Sequence, residues 1–257
     1  LSMERSEEAE EEYRLLRQRY ANSRWVADGG IQVAIHYFDQ RRYAEAWSFF
    51  SQVLEGYPGT YLALLAAYLG GESLYRLSDY TKVVVHFQRL AQLFADPTFA
   101  PGARFRLALA YYRLERYGHA AEQFRRFLKR FSASQFAEEA RFMLGEVLYR
   151  ERRYAEATAA FAAIPAGSER YIEARYGLAW SLYRQDEWRR AARQFLWYAG
   201  EIDAPDKRAD ALFRAADGLV NAREFDFGTR LYLEIMSRYA TLPIGEQAQF
   251  QLAWTHY

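Results

Sequence analysis

The stretch ALAYYRLERYGHAAEQF, residues 108–124, contains the pattern that organises the chain. It begins with a small residue, Ala108, and the aromatic Tyr117 follows nine positions later in a short charged turn. Ala120 and Phe124 come three and seven positions after that aromatic. Since offsets of three and seven return to one face of an α-helix, these three residues share a helix face. The stretch therefore predicts two helices joined by a tight turn.

This pattern recurs along the chain at intervals of 37, 37, 37, 34 and 37 residues. A repeat of that length predicts an array of helix pairs, each of which can bury its apolar face only against its neighbours. The turn aromatics are Tyr43, Tyr80, Tyr117, Tyr154, Trp188 and Phe225; the small residues nine positions earlier are Ala34, Gly71, Ala108, Gly145, Ala179 and Ala216; the residues three positions later are Ala46, Val83, Ala120, Ala157, Ala191 and Gly228; and the aromatics seven positions later are Phe50, Phe87, Phe124, Phe161, Phe195 and Tyr232.

The spacing of these four positions resembles the tetratricopeptide repeat (TPR). The resemblance implies an all-α protein, a right-handed α-solenoid of about six and a half helix-turn-helix repeats. The sequence departs from the family in two ways. Its period is mostly 37 rather than 34, and Arg104, Arg141 and Arg175 stand where the family consensus has a tryptophan early in the first helix.

The repeats predict a charged N-terminal helix or cap over residues 1–27, followed by a TPR-like array over 28–257. A degenerate half-repeat and the tail of a coiled coil are the other interpretations of the N-terminal helix. The predicted repeats are 28–59, 60–97, 101–133, 138–166, 172–204 and 209–241, with a lone first helix at 245–257.

Two features interrupt the regular array. Pro165 lacks a backbone N–H, so we expect it to end the second helix of the fourth repeat early. The last helix, 245–257, is followed by no second helix. Because the ends of a solenoid normally carry a polar cap, we expect the native chain to continue past Tyr257. An uncapped last helix also offers a route to self-association.

The sequence contains no recognisable catalytic, cofactor-binding or metal-binding motif, which favours a protein that is not an enzyme. There is no Cys, no glycine-rich phosphate loop and no nucleophile elbow, and the four His occupy different repeats. Residues 1–12 hold six Glu and one Arg, so the rest has only about six more basic than acidic residues. That excess is weak for nucleic-acid binding, and no apolar run is long enough to span a membrane.

The resemblance implies that the first helices line a concave groove in which a partner binds. Three columns of side chains are expected there: two of aromatic residues and one of arginine. Exposed aromatics and arginines are typical of peptide-binding surfaces. In the alternative interpretation the columns only shape the helix surface and pair with Glu72, Glu146 and Asp217. The predicted groove residues are Tyr68, Tyr75, Arg76, Phe105, Tyr112, Arg113, Phe142, Tyr149, Arg150, Tyr176, Tyr183 and Arg184.

These features favour a non-catalytic scaffold or adaptor that binds a segment of another protein. Two other hypotheses remain open: a substrate-recruiting or tethering domain of a larger enzyme or motor assembly, and a structural rod that assembles with itself. The segments at 57–60 and 131–137 are similar to the longer repeats of bacterial cell-envelope TPR proteins, of the Tol–Pal-associated periplasmic and outer-membrane assembly lipoprotein types. That resemblance implies a bacterial envelope or motility-type complex and a periplasmic location, which the sequence alone leaves open.

Overall fold

A computed structural model of the chain describes residues 2–21, 23–90 and 98–255, and the side chains from residue 8 onward. The described residues form fourteen α-helices and no β-strand, which confirms the predicted all-α class. The helices are α1 (Ser2–Arg19), α2 (Arg24–Asp39), α3 (Tyr43–Gly56), α4 (Tyr61–Arg76), α5 (Tyr80–Leu90), α6 (Ala100–Arg113), α7 (Tyr117–Arg130), α8 (Ala137–Arg150), α9 (Tyr154–Ala162), α10 (Tyr171–Tyr183), α11 (Trp188–Glu201), α12 (Pro205–Asn221), α13 (Phe225–Arg238) and α14 (Pro243–Thr255).

The helices fall into two compact units, one containing α1 to α7 (Leu1–Phe136) and the other α8 to α14 (Ala137–Tyr257). Within each unit consecutive helices pack against one another. The prediction of one array over 28–257, with a cap at 1–27, therefore stays a prediction. The end of the predicted repeat 60–97, from residue 91, and the last two residues of the predicted helix 245–257 lie outside the described residues.

A close contact between the two helices of each pair forms the core. The aromatic residues seven positions after each turn are at most 2% exposed, and the alanines that precede the turns are fully buried. Where glycine takes the place of alanine there is no room for a side chain. A Cβ atom on Gly145 would lie only 2.6 Å from Cε1 of Phe161. The small residue is therefore what allows the second helix to pack its aromatic ring directly on the first.

The turns between paired helices share a backbone conformation that the sequence does not signal. In each of the six turns one non-glycine residue has a φ between 56° and 62°, in the left-handed region. At the fourth turn the Arg152 N–H donates to the carbonyl oxygen of Tyr149 at 3.0 Å, and the Arg153 N–H donates to that of Leu148 at 2.9 Å. These two bonds form a Schellman cap, which usually contains glycine at the left-handed position. The six left-handed residues are Arg41, Ser78, Glu115, Arg152, Asp186 and Arg223.

Helix α9 is the shortest helix, with 9 residues, and it ends at Ala162. This confirms the early end that was predicted from Pro165. Ile164 continues the buried side of the repeat after the helix has ended, at 3% exposure.

We expect Ala157→Leu to lower the free energy of unfolding by about 1–3 kcal/mol, because Ala157 is fully buried between paired helices and extra methylene groups would overpack that contact. Ala159→Leu, two positions along the same helix on its exposed side, is the matched control and should change stability little. Urea unfolding of both variants measures the difference. Equal midpoints for the two would contradict the packing described here.

We expect Arg152→Gly to stabilise the chain by about 0.5–1 kcal/mol, because glycine adopts a positive φ without the steric cost that an L-residue has there. Arg152→Ala is the control: it removes the same side chain but keeps a Cβ atom, so it should not stabilise. Thermal melting followed by circular dichroism compares them. A gain in the alanine variant equal to that in the glycine variant would assign the effect to loss of the arginine side chain.

Candidate functional site

The first helices of neighbouring pairs lie side by side in each unit, with α4 contacting α2 and α6 in the first unit, and α8 contacting α10 and α12 contacting α14 in the second. In each unit, we call the surface formed by these helices the first-helix face of that unit. Eleven of the twelve predicted groove residues lie on first helices, and the twelfth, Arg184, directly follows α10. Their accessibility differs greatly from column to column.

The arginine column is exposed at every described repeat in which it occurs. Arg76, Arg113 and Arg150 are the last residues of α4, α6 and α8, and Arg184 directly follows α10. A positive charge at this end of a helix interacts favourably with the helix dipole, so part of the recurrence has a local structural cause. The exposure of all four side chains leaves them accessible to a partner as well.

Two of these arginines also contact tyrosines of the preceding repeat. Arg113 forms a hydrogen bond with the Tyr75 side chain, and this bond raises the pKa of the guanidinium. The guanidinium carbon of Arg184 lies 5.8 Å from the ring centroid of Tyr154, within the range of a cation–π interaction. Arg113 and Arg184 therefore contribute to packing between repeats.

The alternative interpretation pairs the arginine column with Glu72, Glu146 and Asp217. In the structure, Glu72 and Asp217 have other partners. Glu72 is 6% exposed and forms an ion pair with Arg106 of the next first helix, not with Arg76. Asp217 accepts a hydrogen bond from the Tyr232 hydroxyl at 2.5 Å. Its nearest base is Arg214, at 3.8 Å. Glu146, in contrast, is acted on by the positive charge of Arg150, four residues along the same helix. Pairing with these carboxylates therefore does not explain Arg76, whereas Arg150 does act on its proposed carboxylate.

The second aromatic column is half-buried, because each ring packs edge-on or tilted against the aromatic residue that begins the following helix. The centroid distances are 5.3 Å for Tyr75 and Tyr80, 5.9 Å for Tyr112 and Tyr117, 5.4 Å for Tyr149 and Tyr154, and 4.8 Å for Tyr183 and Trp188. These contacts fix each turn, while part of every ring stays accessible on the first-helix face.

The first aromatic column is covered by the rest of its unit more than the sequence suggests. Phe105 is 4% exposed and stacks on Phe136, with 5.1 Å between ring centroids. The prediction that Phe105 lies on an accessible surface is therefore wrong, and this residue belongs to the core. Phe142 lies beneath the guanidinium of Arg170, at 5.2 Å.

The two tyrosines of this column are half-buried. The Tyr176 hydroxyl donates to Asp210 of the next first helix at 3.1 Å. Tyr68 packs on Phe99 at 5.6 Å, and burial raises the pKa of its hydroxyl. Of the first column, only Tyr68, Phe142 and Tyr176 thus retain accessible surface among the predicted groove residues.

The first aromatic column continues in the sequence to Phe213 and Phe250, and in the structure both residues line a cleft together with polar residues that the sequence did not single out. This cleft, of about 450 Å³, lies between α12 and α14. Its lining residues are Phe213, Arg214, Asp217, Glu246, Gln247, Phe250 and Gln251. The repeat register, continued from Glu72 through Glu146 to Asp217, would have located part of this surface.

Glu146 occupies the register of Glu72 in the fourth repeat. In the following first helix, however, Gly177 stands where Arg106 pairs with Glu72. Burial raises the pKa of the Glu146 carboxyl, and the positive charge of Arg150 opposes that rise. A folded state that holds the proton more tightly than the unfolded chain loses stability as the pH rises through the carboxyl's titration range.

We expect Glu146→Gln to raise the melting temperature at about pH 7, where the wild-type carboxyl must be ionised while partly buried. The gain should shrink as the pH falls through the raised pKa of the folded state toward the ordinary glutamate value of 4.5, and it should be absent below that value, where both states hold the proton. Glu138→Gln, an exposed change on the same helix, controls for the charge. A gain that did not depend on pH would show that Glu146 is not destabilised by its ionisation.

The described residues contain neither a metal-binding group of side chains nor a helix that could span a membrane. No group of three or more His, Asp or Glu side chains in the described part of the chain is arranged to hold a metal ion. Within residues 2–21, 23–90 and 98–255, no helix has the length and apolar character needed to cross a membrane. A second cavity, of about 930 Å³, lies in the first unit among α3, α4 and α5, with Trp47, Leu64 and Val85 in its wall.

Comparison with known sequences identifies one part of the chain directly. Residues 105–171 match the tetratricopeptide repeat family. No curated protein matches the chain.

Comparison with solved structures covers nearly the whole chain. The C-terminal part of a TPR repeat-containing protein from Cytophaga hutchinsonii is 14% identical, with a TM-score of 0.68 over 95% of this chain and 94% of its own. YrrB, described as a TPR protein with an unusual peptide-binding site, is 16% identical, with a TM-score of 0.56 over 85% and 96%. PilW, described as a widely conserved type IV pilus biogenesis factor, is 16% identical, with a TM-score of 0.56 over 87% and 98%.

These matches and the helix pairing define the fold of the protein: it is an all-α fold of paired helices like that of tetratricopeptide-repeat proteins, and residues 105–171 match the repeat family itself. The repeat resemblance found in the sequence is thereby confirmed. At identities of 14–16% the solved structures show the fold alone. TPR folds are in general scaffolds for interactions between proteins, and they are typically non-catalytic.

Proposed function

We propose that this chain is a non-catalytic scaffold that holds a segment of another protein against its first-helix face. One observation carries the proposal: in four of the six predicted repeats an exposed arginine follows a half-buried tyrosine, at Arg76 and Arg113 in the first unit and at Arg150 and Arg184 in the second. Guanidinium groups bind carboxylates and backbone carbonyls, and accessible ring edges provide apolar contact. Surfaces of this composition are typical of protein-binding sites.

The preferred partner is an extended or helical segment that contains acidic residues. All four arginines are exposed, and Arg76 and Arg150 are the best candidates for direct contact, because tyrosine side chains already engage the other two. Arg113 and Arg184 are already engaged with tyrosines of the neighbouring repeat and would reach a partner from more rigid positions. The peptide-binding site named for YrrB supports a peptide ligand by analogy of fold.

The cellular setting is part of the proposal. We infer an envelope or motility-type complex from the resemblance to bacterial envelope repeats, and the similarity to the pilus biogenesis factor PilW supports that setting. Fractionation of cells that express the full-length protein with an epitope tag would test it. Recovery only with cytosolic markers would exclude the envelope.

Self-association is a second candidate function, favoured by the aromatic surface of α14. Phe250 is 60% exposed and Trp254 is 62% exposed, and large exposed aromatics often lie in interfaces. Sedimentation velocity of the wild type and of Phe250→Ser measures it. A wild type that stays monomeric at high concentration would rule out this second function and leave the scaffold proposal unaffected.

The scaffold proposal is tested with a displayed library of random peptides selected against the chain. We expect enriched peptides to contain acidic residues. The double variant Arg76→Glu with Arg150→Glu should weaken their binding about tenfold or more, because attraction becomes repulsion. Its melting temperature should change little, since both side chains are exposed.

The matched control reverses two exposed arginines on second helices, Arg89→Glu with Arg193→Glu, and changes the net charge by the same amount. It should bind the selected peptides as the wild type does. Equal loss of affinity in both double variants would mean that binding follows net charge alone. Selection of no peptide above background would overturn the peptide-scaffold proposal itself.

A further inference from the structure

Arg104 has an unusual environment near the start of α6. It occupies the position where the repeat consensus has a tryptophan, and its side chain is partly buried. Its Nε atom is buried and has no hydrogen-bond partner. Burying a charged donor without an acceptor is costly, so a native structure that retains one calls for a physical explanation.

Positive charges on α7 add to the cost of burying the Arg104 guanidinium. Burial lowers the pKa of its guanidinium, and the positive charges of Arg130 and Arg126 on α7 lower it further. No carboxylate in the described part of the chain pairs with Arg104. Two guanidinium groups of α7 thus act on the partly buried guanidinium of Arg104 at the side of the third helix pair.

Arg126 and Arg130, the two arginines on α7, are exposed to solvent. Arg126 has 64% of its side chain exposed and pairs with Glu122 at 2.5 Å. Arg130 is exposed and lies over the ring of Phe131, with 5.3 Å from its guanidinium carbon to the ring centroid. Glu122 offsets one of the three positive charges, which leaves the cluster with a net charge of about +2.

The fifth repeat shows that an arginine at this register does not need such a cluster. Arg175 corresponds to Arg104, and its Nε atom is likewise buried without a hydrogen-bond partner. Its guanidinium, however, lies between two aromatic rings, 5.3 Å from the Trp197 centroid and 5.5 Å from that of Tyr171. Trp197 holds the register position of Arg126. Contact with the two rings therefore offsets the cost of burying the Arg175 guanidinium, whereas the Arg104 guanidinium is acted on by like charges.

We propose that Arg104, Arg126 and Arg130 form a binding site for a phosphate group. A phosphate monoester carries about −1.5 to −2 charges near neutral pH, which matches the net charge of the cluster better than a single carboxylate does. Guanidinium groups bind phosphate oxygens through paired, charge-assisted hydrogen bonds. The site lies outside the columns of the first-helix face and does not depend on the scaffold proposal.

The test measures thermal melting in inorganic phosphate against chloride at constant ionic strength. We expect phosphate to raise the wild-type melting temperature saturably, by about 2–4 °C when the ligand is in modest excess over its Kd. Arg104→Met should melt no lower than the wild type in chloride, because it removes an unpaired, repelled charge. The same variant should show no specific response to phosphate.

Arg175→Met is the matched control, since it removes an arginine from the same register without touching the cluster. It should keep the full phosphate response, even if its own melting temperature falls through loss of the ring contacts. Phosphate also stabilises proteins in general by exclusion from their surface, and that effect would appear equally in all three proteins. An equal response in the wild type and Arg104→Met, or no response in the wild type, would overturn the proposal.

A local readout keeps the test independent of stability. The Arg104 Nε–H resonance, assigned in an arginine-labelled sample by its loss in Arg104→Met, should shift as phosphate is added, and Arg126→Gln should reduce that shift. A pentapeptide with a central phosphoserine between alanines, compared with its unphosphorylated form, separates the sources. A shift with the phosphopeptide indicates a phosphorylated protein segment, whereas a shift with inorganic phosphate alone indicates the free ion. A resonance that moves with neither would overturn the site.

Discussion

The structure depends on one recurring contact, in which an aromatic ring of the second helix packs directly on the backbone of the first. A glycine or alanine at the facing position makes this possible, since a larger side chain at Gly145 would occupy the space of Phe161. A helix pair held in this way still exposes an apolar side, which the next pair covers. Helix spacing and the register of every surface column follow from this contact.

This constraint separates the parts of the first helices that form the core from those left for binding. Among the predicted groove residues three positions before the small residue, Phe105 is covered by Phe136 and belongs to the core, whereas Tyr68, Phe142 and Tyr176 keep accessible surface. Residues at the end of each first helix lie beyond that contact, so the arginines there remain exposed. A scaffold of this kind can change its surface chemistry from repeat to repeat without disturbing its core. The ion pair of Arg106 with Glu72, absent where Gly177 replaces the arginine, is one such change.

Two sets of residues retain an energetic cost that packing alone does not explain. The left-handed turn residues adopt a positive φ without glycine, and Arg104 is held among like charges without an acceptor. The first cost is explained locally, because the Schellman hydrogen bonds require that conformation. The second has no local compensation, unlike that of Arg175 between its two rings. Arg104 and Arg175 occupy the same position in two repeats but have different surroundings. This difference marks Arg104 as part of a candidate site rather than as a feature that every repeat shares.

The sequence by itself determined the repeat, the helix pairs, the buried small and aromatic positions and the early end of α9, because each depends on residues within about ten positions of one another. It also located the exposed arginine column. Only the tertiary structure decided which of the remaining side chains are accessible and how they are paired. Phe136, which covers Phe105, and Arg106, which pairs with Glu72, each lie about one repeat away in sequence from the residue they contact. Neither contact therefore follows from local periodicity. The left-handed turns were likewise hidden, because hydrogen bonds to the preceding helix impose that conformation on arginine, serine and acidic residues that do not prefer it.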